Sequence, residues 1–474
     1  MRMMAKTVGW RRLRIKSLVG LLVVVLLSFT LTMSVTQLPM IRQFFSHATQ
    51  VPADIIIKTQ NQIGPLPRPW RNLAQGGESH NWQLSPIQSQ VSALHPDYIR
   101  LDHIYDFYEI VSGTPGNLTF DFTKLDSVLD QISAVGAKPF ISLSYLPPAI
   151  SRGDIVDQPV SYSDWTTVVQ RTIEHVSGTR NTRDVYYEVW NEPDLFGGWK
   201  YYGAKNYLEL YKAAAIGVSR AQVRQTFKFG GPATTAPYKN WFDALATFTS
   251  ENNLRFDFYS WHRYTTDINQ YIDDMRQVQR WLTKYPMYES NLELIVTEWG
   301  HDSDNHAGYD GSYSAAHTVA GAISMIGVVD RAFVFEIQDG VDPAGNEFWG
   351  RWGLITAPGT NQKQKSRYQA LIMLDSLPNQ RIQLTGNGSA VKGLATQAEN
   401  GSLQVILANF DSQATNWENV PVTFDQIQPG NYQIQLQYLS GRQATQRVAT
   451  TAGILQTTIP MKPSDVVKLE FKPE

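Results

Sequence analysis

The sequence predicts an α/β chain: a (β/α)8 TIM barrel, followed by a C-terminal antiparallel β-sandwich and preceded by an N-terminal transmembrane helix. Three observations predict it. Between residues 54 and 378, short strand-like runs alternate with apolar residues at helical spacing. From residue 379 onward the helical spacing stops and a period of two takes over. At the amino terminus, a basic stretch precedes a long uncharged apolar run.

Taken in order, residues 1–16 carry six basic residues and no acid, and read as a cytoplasmic segment. Residues 17–36 are uncharged and long enough to span a bilayer, which predicts a signal anchor, with a cleaved signal peptide as the alternative. Residues 37–53 read as a tether. The barrel is then assigned to residues 54–378. Ile55-Ile56-Ile57 is read as its first strand, and Gln75-Gly76-Gly77-Glu78 as part of a long loop before the second, Tyr98–Leu101. Leu125, Val128, Leu129, Ile132 and Val135 share a helical face that Gly136 ends. Phe140–Ser144 is the third strand, and Val185–Val189 the fourth, which Pro193 forces to stop. Phe227–Phe229, Phe256–His262, Leu292–Thr297 and Ala332–Ile337 supply the fifth to eighth. A doubly wound open sheet is the alternative, disfavoured because no Gly-rich phosphate loop follows the first strand. In residues 379–474, Tyr432, Ile434, Leu436 and Tyr438 alternate with polar residues, as do Val467, Leu469 and Phe471. That is the pattern of half-buried strands.

Composition narrows the function. The net charge of −2 conceals an acidic body: without the six N-terminal cations, 35 basic residues face 43 acidic ones. Such a body does not bind nucleic acid by charge. There is no cysteine, hence no disulfide and no thiolate-held metal. Asp304, Asn305, His306 and Asp310 resemble a metal site in composition only, so neither a metal nor a cofactor is expected.

Two carboxylates stand at strand ends. Glu192 lies in V-W-N-E-P and Glu298 in V-T-E-W-G. The carboxyl ends of barrel strands are where sites are built, so glutamates ending the fourth and seventh strands face each other across one mouth. Glycoside hydrolysis needs such a pair: an acid to protonate the leaving oxygen and a carboxylate to attack the anomeric carbon. On this reading Glu192 belongs in the less polar, more like-charged setting, whereas Glu298 is kept ionised by donors, with Arg100 and Tyr264 the candidates. Further candidates for substrate binding are Asn191, His103, Trp299, Trp349, Trp352 and Glu336.

The stretches Y-I-R-L-D-H-I-Y-D (98–106), G-A-K-P-F-I-S-L-S-Y-L-P (136–147), Y-E-V-W-N-E-P-D-L (187–195), F-D-F-Y-S-W-H-R-Y (256–264), V-T-E-W-G (296–300) and W-G-L-I-T (352–356) resemble glycoside hydrolase family 39, of the clan A retaining glycosidases. The resemblance implies Glu192 as acid/base and Glu298 as nucleophile. It further implies that Asn191 bonds the hydroxyl beside the anomeric carbon, that Tyr264 bonds the nucleophile, and that His262 and Arg100 line the same subsite. The chain departs from many members of that family after T-E-W, where it has Gly300-His301-Asp302. The expected protein is a membrane-anchored, extracytoplasmic retaining glycosidase acting on an oligo- or polysaccharide, or one secreted after signal cleavage. An inactive polysaccharide-binding scaffold and a transglycosylase are the alternatives.

Overall fold

A computed structural model describes residues 51–76, 80 and 82–474. The expected basic segment, anchor and most of the tether lie outside the described residues. Among those described, no helix is long and apolar enough to cross a membrane.

Eight parallel strands close into a barrel: β2 (Asn72–Gln75), β3 (Tyr98–Leu101), β6 (Lys138–Leu143), β7 (Val185–Val189), β8 (Phe227–Thr234), β9 (Phe258–Tyr264), β10 (Glu293–Gly300) and β11 (Arg331–Phe335). A small antiparallel hairpin, β4 (Val111–Thr114) and β5 (Asn117–Phe120), projects between β3 and β6. One correction to the sequence reading concerns the first strand. It is Asn72–Gln75, so Gln75 ends a strand rather than lying in a loop. Ile55-Ile56-Ile57 instead belongs to β1 (Ile55–Pro65), which pairs outside the barrel. A four-residue buried strand is too short to show a period, whereas three consecutive β-branched isoleucines read as a strand on propensity alone.

The helices cover the barrel's outside. Asn206 caps Tyr207–Arg220 by accepting from Leu208 N at 3.0 Å, and Ser161 caps Tyr162–Ile173 by accepting from Ser163 N at 3.2 Å. Valines and leucines on the outer faces of the strands pack on these helices in the main core. Inside the barrel, Tyr98, Phe140, Tyr186, Phe258 and Phe333 form an aromatic plug, with Phe140 4.7 Å from Phe333 and 5.2 Å from Tyr186 between ring centroids. Side chains two positions further along a strand point the same way. Above Tyr98, Phe140, Tyr186 and Phe258 therefore come Arg100, Ser142, Glu188 and Ser260, and the barrel turns polar as it opens.

The second region is β-rich. Strands β12 (Gln380–Thr385), β13 (Val391–Gln397), β14 (Leu403–Asn409), β15 (Glu418–Asp425), β16 (Gly430–Tyr438), β17 (Gln443–Thr450), β18 (Ile454–Met461) and β19 (Val466–Pro473) join β1 in one nine-stranded sheet. The order is β17-β16-β19-β14-β13-β12-β1-β15-β18. Where an antiparallel sandwich built from residues 379–474 was expected, β1 sits inside the sheet and pairs parallel with β15. The sheet curls around its own core: Phe424 of β15 and Phe471 of β19, far apart in strand order, stack at 4.1 Å. This region meets the barrel along the helix Ser312–Met325, where Tyr313 Oη donates to Ser412 O at 3.1 Å and His317 lies 5.1 Å from Phe410.

Candidate active site

The site begins with two departures from strand regularity. In β10 the pairing with β9 slips between Val296 and Glu298. Ile295 faces into the barrel and Val296 outward. An undisturbed period of two would turn Glu298 outward, and the slip turns it in. After β7, Trp190 and Glu192 take positive φ of 75° and 46°. Strained conformations of this kind persist where surrounding contacts hold them. Here Trp190 is fully buried between Trp199 and Tyr145, at 5.3 and 5.1 Å, and Glu192 N donates to Ala233 O at 3.0 Å. The result is that Asn191 and Glu192 both face the mouth, with Glu298 opposite.

Arg100 organises the floor. Fully buried, it donates from Nε to Glu188 Oε2 at 2.8 Å, from Nη1 to Glu298 Oε1 at 2.9 Å and from Nη2 to Asn191 Oδ1 at 2.7 Å. Burial works against its charge, but Glu188, Glu298 and Asp102 outweigh that, and its pKa rises. Tyr264 Oη donates to the second oxygen of Glu298 at 2.9 Å. Burial and the neighbouring Glu298 hold the Tyr264 hydroxyl well above its usual pKa, so it remains a neutral donor. His262 Nδ1 lies 2.8 Å from Glu192 Oε1 and 3.4 Å from Glu298 Oε2. Burial works against its charge, but the two carboxylates outweigh that and raise its pKa. Asn191 Nδ2 completes the set by donating to Tyr145 Oη at 3.1 Å.

One oxygen of Glu192, one of Glu298 and a nitrogen of His262 all lie within 4.8 Å of one another. Three such donors could hold a cation, but Arg100 already brings a positive charge onto Glu298. The expected contrast between the glutamates needs correcting. Glu298 is the more buried, with a side chain 7% exposed against 12% for Glu192. The Glu298 carboxyl is raised to about 7: burial is the largest cause, His262 and Arg100 pull against it, and Glu192 and Asp102 add to it. What distinguishes the two is therefore donors, not polarity: both oxygens of Glu298 accept from neighbours fixed on β3 and β9.

Matching to known families agrees with this geometry. Residues 55–436 match the model of the glycosyl hydrolases family 39. The chain belongs to that family. It is an O-glycosyl hydrolase. It is 28% identical over 342 residues to a β-xylosidase from Caldicellulosiruptor saccharolyticus, covering 66% of this chain and 69% of that one. Among solved structures, the family 39 enzyme from Xanthomonas axonopodis pv. citri superposes with a TM-score of 0.71 at 21% identity, over 90% of this chain and 99% of the other. A monomeric β-xylosidase from Caulobacter crescentus gives 0.71 at 20% identity, over 89% and 99%.

In this family 39 chain the mouth is a cavity of about 820 Å³. Asn191, Glu192, Tyr264, Glu298, His103 and Trp352 line it, with Arg100 and His262 buried beneath. His103 is held by Asp106 Oδ2 at 2.8 Å and packs on Tyr145 at 4.7 Å. Arg351 lies over the Trp352 ring at 3.7 Å, so one face of that ring is covered. Three predicted contacts fall elsewhere. Trp299 turns outward once Glu298 turns in; it is fully buried against Tyr271 and the helix Ser312–Met325. Trp349 packs beside Arg351 at 5.1 Å and is not part of the lining. Glu336 is fully buried below the mouth, where Gln75 Nε2 donates to it at 3.0 Å. The sequence reading missed Glu188, Tyr145 and Asp102. Glu188 was legible: it lies two positions after inward-facing Tyr186 on the same strand. Tyr145 follows its strand's end, where no period applies.

Proposed function

We propose that the chain is a retaining glycosidase in which Glu298 is the nucleophile and Glu192 the acid/base. The observation that carries this reading is the clamp on Glu298: Arg100 and Tyr264 each donate to one of its oxygens, while an oxygen of Glu192 lies within 4.8 Å of it. Double displacement needs carboxyl groups about 5–5.5 Å apart, whereas inversion leaves room for water at about 6.5–9.5 Å. In the first step Glu298 bonds to the anomeric carbon as the glycosidic C–O bond breaks, and Glu192 gives its proton to the departing oxygen. In the second, Glu192 takes a proton from water as that water bonds to the anomeric carbon and expels Glu298. His262, beside both, relays the change of charge. Asn191, fixed by Arg100 and Tyr145, faces the ring hydroxyl next to the reacting carbon.

Similarity to β-xylosidases makes a β-xyloside the first substrate to offer. The basic residues 1–16 and the apolar run 17–36 support an anchored, extracytoplasmic enzyme acting on oligo- or polysaccharide. Glu298→Gln is expected to abolish turnover, and Glu192→Ala to spare mainly aryl glycosides with good leaving groups. NMR of the first-formed sugar should show the anomeric configuration of the substrate. Substantial activity in Glu298→Gln, or an inverted first product, would end this reading.

A further inference from the structure

The two sides of the mouth differ in chemistry. On one side stand Asp102, His103, Asp304 and Arg351. On the other, an apolar wall is contributed by Ile155 and Val156, from the loop after β6, and by Leu195 and Phe196, from the turn after β7. The turn fixes that wall to Glu192: Leu195 N and Phe196 N both donate to Glu192 O, at 3.0 and 2.8 Å. Phe196 leans on Tyr145 at 6.0 Å, and Gly197 lies close against Val156, which joins the two loops. Leu195 is 58% exposed and Phe196 42% exposed, although each lines a cavity next to a carboxyl group. Asp194, the acid of this turn, is spent on Thr235, accepting from its N at 3.0 Å and from its hydroxyl. The wall thus presents carbon, not charge, apart from Asp154 at its edge.

Direction follows from the reaction. The nucleophile attacks the anomeric carbon from the face opposite the departing oxygen, and the acid must reach that oxygen. The leaving group therefore lies toward Glu192, against Leu195 and Phe196. We propose that Ile155, Val156, Leu195 and Phe196 form an aglycone site that selects leaving groups, and acceptors, with an apolar face. This rests on the assignment of Glu192 as the acid.

Interception of the glycosyl-enzyme tests it. The full chain is given an aryl β-xyloside as donor and linear alcohols from methanol to hexanol as acceptors, and the ratio of alkyl glycoside to free sugar is measured. That ratio is expected to rise with chain length by up to about fourfold per methylene, the scale of full apolar burial. Leu195→Ser and Phe196→Ser, both on an exposed turn, are expected to flatten the rise with chain length severalfold. Glucose at matched concentration separates two sources of an apolar face. Preference for glucose over hexanol assigns the wall to a sugar ring, and the reverse assigns it to an alkyl or aryl group. A ratio independent of chain length, or a rise that both variants leave intact, overturns the aglycone site. An alkyl glycoside of inverted configuration overturns the Glu192–Glu298 reading itself, whereas failure of every alcohol to give any glycoside overturns the aglycone site.

Discussion

Arg100 spends three nitrogens on three different side chains, and each bond fixes a residue with a separate duty. Glu188 balances its charge, Glu298 is oriented, and Asn191 is aimed at the mouth. A lysine supplies charge but no planar fork, so it cannot satisfy all three. Hydrogen bonds to charged groups contribute about 1.5–3 kcal/mol each. Arg100→Lys is therefore expected to lower kcat/KM by about 100-fold with the fold retained, checked by kinetics beside circular dichroism. Titration gives a second test at the same scale. Glu298 must be ionised to attack, and its carboxyl is raised to about 7, with burial the largest cause. Protonation below that value removes the nucleophile. The acidic limb of the kcat/KM profile should accordingly fall near pH 7, well above the usual carboxylate range of about 4.3. A profile flat down to pH 5 would contradict this.

Element by element, what decides the site is where period two is obeyed and where it is broken. Obeyed, it carries Arg100 and Glu188 into the barrel above Tyr98 and Tyr186, and those positions can be read from a strand's alternation alone. Broken, it turns Glu298 in and Trp299 out, and nothing in L-I-V-T-E-W-G marks the slip. The sequence reading therefore grouped Trp299 with the mouth when its place is against a helix. The helix Ser312–Met325 meets that Trp at Gly321, where a Cβ would come within 3.0 Å of Trp299 Cζ3. Gly321→Val would displace Trp299 and, through the chain, Glu298. Overpacking of this kind costs about 1–3 kcal/mol. The expected variant melts several degrees lower and also loses kcat, whereas a purely structural defect would leave the residual kcat of folded enzyme unchanged.

Across the whole molecule, the barrel and the β-rich sheet are held by residues remote in sequence, and this was the least legible level. Ile55-Ile56-Ile57 looks like a barrel strand because its neighbours in the chain are barrel elements, yet its pairing partners lie more than 320 residues away. Local patterns carry no information about such pairing. A second consequence lies where helix Ser312–Met325 meets the sheet. His301 and His317 are buried there beside Tyr309 and Phe410. Burial holds their pKa values down, to about 2 and about 3. The unfolded chain takes up both protons near pH 6.5, and the folded one does not. Stability is therefore full above pH 6.5 and drains as pH falls below it, by about 1.4 kcal/mol per unit for each histidine. Replacing either with Phe should make the pH dependence of urea unfolding between pH 6 and 4 shallower, whatever it does to stability at pH 8.

The same long-range pairing makes a sharper forecast for truncation. β1 lies between β12 and β15, so it is an interior strand: Ile55 and Ile57 are fully buried, and Lys58 pairs with Asp425. Removing it would expose ladder edges on both neighbours and open the core around Phe424 and Ile382. A chain starting at residue 66 keeps all eight barrel strands, yet is expected to be insoluble or to aggregate, as is the segment 379–474 made alone. A chain starting at residue 51 should be soluble and active. Adding a peptide of residues 51–65 to the refolding chain 66–474 should restore activity, measured as turnover against peptide concentration. Full activity of the chain 66–474 without the peptide would show that the sheet does not need its N-terminal strand.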